Sequence, residues 1–134
     1  MENNSTLVNV DFSLIGDTFD TEYVTEYLGV NPSETLKKGE LKNWKKIPNI
    51  ETIWSVQTGF EESFDINSQL SKIKTLFIKK TQQLNYLIEV LNLKIAVSIT
   101  ILIKDNEVPA IYLEEEVLKF LSDIKAVVDI DIDM

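Results

Sequence analysis

The sequence predicts an α+β fold, a mainly antiparallel sheet with helices packed on one face. Three observations lead there. Two segments, Thr6 to Ile15 and Leu93 to Ile103, alternate side to side with one consistently apolar row, the period of a sheet with one covered and one wetter face. Between and after them, apolar residues recur at helical spacing. No repeat, low-complexity run or linker divides the 134 residues, so residues 1–134 read as a single globular domain, with residues 1–5 frayed.

In the first strand Thr6, Val8, Val10, Phe12 and Leu14 point one way, and Leu7, Asn9, Asp11, Ser13 and Ile15 the other. Gly16-Asp17 breaks it, and a short helix follows. Asp20 suits its N-cap, and Phe19 can staple onto Val24. Tyr23, Val24, Tyr27 and Leu28 form the expected inward stripe. Gly29 is placed to end the helix in the left-handed conformation, and Pro32 prevents its resumption. Gly39, by contrast, is expected in a freer loop.

Residues 33 to 50 read as a long connection without a sustained period, carrying five lysines against two glutamates. A strand is expected over Glu51 to Thr58, ended by Gly59. From Ile66 the stripe Ile66, Leu70, Ile73, Phe77 is helical, and Leu84, Leu87, Ile88 and Leu91 continue it. Lys79, Lys80 and Thr81 interrupt the apolar row, so two helices with a break near residues 79 to 82 are preferred over one. After the strand at Leu93 to Ile103, Lys104-Asp105-Asn106-Glu107 turns the chain into a short strand around Ala110 to Leu113. A helix over Glu114 to Ile124 presents Val117, Leu118, Phe120, Leu121 and Ile124. The final strand, Val127 to Asp133, turns Val128, Ile130 and Ile132 inward and Asp129, Asp131 and Asp133 outward. The order is β-α-β-α(α)-β-β-α-β, partly ferredoxin-like, because its last six elements follow that split β-α-β pattern.

Composition narrows the chemistry. The chain has no histidine, cysteine or arginine, so it lacks the usual proton shuttle, the strongest nucleophile and the bidentate anion clamp. A transition-metal site would need an unusual all-oxygen shell, and no cofactor is expected. Four scattered glycines make no phosphate-cradling loop. An enzyme is therefore not expected. The net charge of −9 opposes binding of duplex nucleic acid and suits a cationic protein partner. No membrane span or leader pattern occurs, and the expected location is the cytoplasm. Exclusive use of lysine over arginine, with many Ile, Asn and Glu, points to an AT-rich bacterial genome.

Two patterns invite functional readings. Asp129-x-Asp131-x-Asp133 places carboxylates about 6.6 Å apart along one strand face. Such a row keeps an edge wet and charged against aggregation, docks a partner, or in principle shares a hard cation between neighbours. The second pattern is the lysine-rich run Leu36 to Lys46 around Trp44. It reads as a solvated loop with Trp44 tucked onto the domain, rather than as a platform for single-stranded nucleic acid. Tyr23, Tyr27, Tyr86 and Tyr112 are assigned to core packing.

Phe12, Gly16, Phe19-Asp20, Val24, Leu28-Gly29-Val30, Pro32, Gly39 and Trp54-Ser55, together with the acidic strand Asp129-Ile130-Asp131 after a leucine-rich helix, form the pattern that carries a family resemblance. From about residue 8 to 133 the chain resembles the bacterial family called domain of unknown function 4279. The resemblance implies the fold and a bacterial source and carries no catalytic residues.

The leading expectation is a non-enzymatic cytoplasmic binding protein, such as an immunity or inhibitor protein covering a cationic toxin through its acidic surface. Asp129, Asp131 and Asp133 are the candidate contacts, with Asp11 beside them. The alternative is a small-molecule-sensing module, with the 33–50 loop as lid and Trp44 and Trp54 as apolar walls.

Overall fold

The computed structural model describes residues 5–40 and 49–134. Along the chain these form β1 (Leu7–Gly16), α1 (Thr21–Leu28), β2 (Glu34–Leu36), β3 (Thr52–Gln57), β4 (Glu61–Glu62), α2 (Asn67–Phe77), a 3-10 turn (Ile78–Lys80), α3 (Thr81–Leu91), β5 (Lys94–Leu102), α4 (Glu115–Asp123) and β6 (Val127–Asp133). The sheet runs β2-β3-β1-β5-β6, with β4 added to β1. It is mixed and mostly antiparallel, an α+β fold.

The alternation in β1 is complete: Val8, Val10, Phe12 and Leu14 are buried, and their neighbours are half-buried. The ladder sets Val8, Val10, Phe12 and Leu14 opposite Ile101, Ile99, Val97 and Ile95 of β5. On the other side Phe12 and Leu14 face Val56 and Trp54 of β3. This apolar face receives the helices, and Val24, Leu28, Leu70, Ile73, Phe77, Leu84, Leu87, Val117, Phe120 and Ile124 join it in one core. The Phe77 ring stacks on Phe12 with centroids 4.3 Å apart, and Trp54 meets Phe77 edge-on at 6.3 Å. The Trp54 indole N–H donates to Thr25 Oγ1 at 3.0 Å, tying α1 to the same cluster.

The caps agree with the sequence. Asp20 accepts from the Glu22 and Tyr23 amides, and Gly29 closes α1 at φ 68°. The apolar stripe at 66–91 does break, at Ile78–Lys80, and α3 ends on Asn92 at φ 55°. Asp105 and Asn106, both at positive φ, turn the chain after β5, with the Glu107 amide donating to Lys104 O.

Several expectations are corrected. Within 33–50, Glu34–Leu36 is a short strand, because the outer edge of β3 is open and Leu36 half-buries itself opposite Ile53. Gly39, expected to be free, holds φ 88° and donates its amide to Asn49 O. The strand expected at 51–58 does stop ahead of Gly59, at Gln57, but the chain then returns to the same edge of β1. It bulges at Thr58–Phe60 and resumes as β4, while the Thr58 amide donates to Val10 O and its hydroxyl accepts the Val10 amide. No strand forms at 110–113, since β5 already has β1 on one side and β6 on the other. Ala110 instead donates to Phe64 O and accepts from the Ile66 amide. Buried Asn67 braces this loop, donating to Tyr112 O and accepting the Glu114 amide. The closing strand is parallel to β5 and adjacent to it, because α4 carries the chain back to the starting end. The β-α-β unit is therefore unsplit, unlike the ferredoxin-like pattern. Leu118 on α4 is exposed, as are all four tyrosines; they lie at the rim, where rings pack sideways and hydroxyls reach water.

Truncating the central ring, Phe77→Ala, is expected to cost about 3–5 kcal/mol in chemical denaturation. Gly29→Val should cost on the order of 1–2 kcal/mol for its positive φ alone. Gly39→Val should carry a similar backbone penalty, and a midpoint for it equal to wild type would contradict the left-handed geometry at that turn.

Candidate functional site

No described helix covers the second face of the sheet. Its side chains come from alternate positions: Leu7, Asn9, Asp11, Ser13 and Ile15 of β1; Ser98, Thr100 and Leu102 of β5; Asp129, Asp131 and Asp133 of β6. Register places them in rows across the strands. Gln57, Asp11, Ser98 and Asp129 form one row, and Asn9, Thr100 and Asp131 the next, with Leu7, Leu102 and Asp133 beyond. At the usual strand spacing, Asp11 and Asp129 lie roughly 10 Å apart with Ser98 between them. The structure thus brings together on one face the four carboxylates singled out by sequence. The face is polar because β1 and β5 alternate, and acidic because β6 does.

The four carboxylates are not equivalent. Asp129, Asp131 and Asp133 are exposed on the outermost strand. Asp11 is half-buried in the middle of the sheet, and Ser13 Oγ donates to its Oδ1 at 2.5 Å. Its carboxyl is pushed above the ordinary value, chiefly by loss of solvent and also by the nearby Glu34 charge, against the lowering effect of hydrogen bonds from Ser13 and Gln57. Along β6 the carboxylates spread out rather than converge. Among the described residues no group of three or more acidic side chains is placed to hold a metal ion.

The residues of the sensing alternative fare differently. Trp54 is fully buried against Phe77 and hydrogen-bonded to Thr25, so it walls no ligand site. Its apolar strand position could have signalled this. Trp44 lies outside the described residues. A depression on the helix side is lined by Asn85, Glu89, Asp123 and Lys125 with Ile88 as its one apolar wall, unlike an apolar ligand cavity. Lys38, from the lysine-rich run, pairs with Asp17 and holds that carboxyl below its ordinary range.

Sequence reasoning missed the grouping of Tyr23, Tyr27 and Tyr86 on the outside of α1 and α3, where Tyr23 stacks on Tyr27 at 5.8 Å and Tyr86 meets Tyr27 tilted at 5.5 Å. The i, i+4 spacing of Tyr23 and Tyr27 was visible, but the approach of α3 was not. Loss of water in the cluster, then Tyr86 and Tyr27, holds the Tyr23 phenol above its ordinary value.

A raised carboxyl means that folding favours the protonated form, so Asp11 contributes stability at low pH that is lost as pH rises through its folded-state value. Asp11→Asn should therefore melt higher than wild type at neutral pH and equally near pH ~3. Screening at a sheet surface keeps the gain below about 1 kcal/mol. Thermal melts across that range check it, and a variant less stable at neutral pH would reverse the assignment.

No helix among the described residues is long and apolar enough to cross a membrane. No curated protein and no solved structure matches the chain. The family model described as Domain of unknown function (DUF4279) matches residues 6–134, which takes in every strand of the sheet and Asp11, Asp129, Asp131 and Asp133 of the open face. The chain belongs to this family.

Proposed function

We propose that this chain is a non-enzymatic binding module that takes a cationic protein partner on the helix-free face of its sheet. In its most concrete form it is a cytoplasmic immunity or inhibitor protein of a bacterial host, covering a basic toxin. The observation that carries the reading is the placement of Asp11, Asp129, Asp131 and Asp133 on one face, three of them exposed. The net charge of −9 adds a long-range field of the same sign, which accelerates encounter with a cationic surface and disfavours other partners. The absence of His, Cys and Arg removes the commonest catalytic groups and argues for recognition over catalysis.

The small-molecule-sensing alternative, with the 33–50 connection as lid, has less support because burial takes Trp54 away from it. It predicts a ligand-induced rise in melting temperature that is insensitive to the β6 aspartates.

Replacing Asp129, Asp131 and Asp133 by Asn should leave the fold intact, because all three are exposed. The partner recovered from the native host should then associate about tenfold more slowly at low salt, with the difference shrinking as ionic strength rises. Stopped-flow or surface kinetics at two salt concentrations measure this. Unchanged rates for a folded triple variant would remove the acidic face from the interface.

A further inference from the structure

The β6 strand ends the sheet and pairs with β5 alone among the described residues. The Ile103 amide donates to the Asp133 carbonyl at 2.8 Å. Because successive backbone groups alternate in direction, that bond turns the N–H and C=O groups of Asp129, Asp131 and Asp133 toward β5. The N–H and C=O groups of Val128, Ile130 and Ile132 consequently point away from the sheet. On the helix side, Ile130 and Ile132 remain 39% and 47% exposed, since the helix layer stops short of this strand. On the opposite side stands the aspartate row.

The edge therefore offers an incoming strand free backbone groups, an apolar row and an acidic row, all in register. Natural sheets commonly blunt such edges with charged side chains, proline or a bulge, and β6, seven residues long, has only its three aspartates, which repel an acidic strand and leave a basic one able to pair. A second copy pairing through the same edge would lay aspartates against aspartates, and like charges set across neighbouring strands are destabilising. The same row attracts a strand carrying lysine or arginine at every second position.

We propose that the free edge of β6 is a strand-addition site for a cationic protein segment. The segment binds extended, its basic residues facing Asp129, Asp131 and Asp133 and its intervening apolar residues covering Ile130 and Ile132. Main-chain hydrogen bonds supply affinity and the alternating side chains supply selectivity, as in other β-augmented complexes. The inference rests on the cationic-partner reading and adds the conformation in which the partner is held.

The probe is a synthetic peptide of alternating lysine and valine, as long as β6, tested beside the same peptide N-methylated at every amide. The alternating peptide should bind and slow hydrogen exchange at the Val128, Ile130 and Ile132 amides, while the N-methylated one binds about tenfold more weakly or less, a difference of about 1.4 kcal/mol. Ile130→Pro should weaken binding of the unmethylated peptide likewise, because the lost N–H points outward and the β5 ladder does not use it. If that variant does not fold, the methylated peptide still decides. Equal affinity for the two peptides, or unchanged exchange at the three amides, overturns strand addition. The cationic-partner reading would then stand or fall separately, by the association rate of the triple Asn variant. A concentration-dependent dimer that protects the same amides would assign the edge to a second copy and also overturn the proposal.

Discussion

The stack of Phe77 on Phe12, with Trp54 edge-on beside it, is the contact on which the remaining packing depends. Phe12 sits in the middle of β1, the strand that hydrogen-bonds to β3, β4 and β5. Phe77 is the last residue of α2, so the 3-10 turn and the change of direction into α3 begin where its ring is anchored. Trp54 carries the contact to β3 and, through Thr25, to α1. Three large rings bury several hundred Å² of apolar surface at one point, and their offset and edge-on geometry adds specificity to that burial. Sheet, first helix and second helix are fixed relative to one another there.

Having spent its apolar residues on that side, the chain leaves the other side of the sheet to hydroxyls, amides and carboxylates. A one-sided helix layer sorts charge, because every carboxylate on an alternating strand must turn away from the core. Asp11 shows the strain of this arrangement. It lies in the middle of the sheet, where its neighbours Ser13, Ser98 and Gln57 are small or neutral, and its carboxyl is held above its ordinary value by loss of solvent. The β6 aspartates stand exposed on the edge strand.

The character of that edge follows from one connection. The helix α4 returns the chain to the starting end of β5, and β6 is laid down parallel to it with no further strand outside it among the described residues. A strand in the interior of the sheet could not carry three aspartates so cheaply or leave two isoleucines half-covered. At the edge both are tolerated, and together they give the border an apolar side and an acidic side.

Local chemistry was legible in the residues. The strands β1 and β5, the Asp20 and Gly29 caps, the break before Thr81 and the outward face of Asp129, Asp131 and Asp133 follow from side-chain period and capping, which depend on neighbours a few positions away. That Asp11 shares a face with the β6 aspartates was half legible: its alternation was visible, and the pairing that sets it in the row of Asp129 was not. The β2 strand, the bulge at Thr58, the bracing by Asn67 and the tyrosine group all needed partners 17 or more residues distant, on elements whose approach no local period encodes. The same holds for the burial of Trp54 and the exposure of Ile130 and Ile132. An alternating strand states which side each residue takes, but only the assembled sheet decides whether that side is covered, because coverage belongs to the neighbouring elements and not to the strand itself.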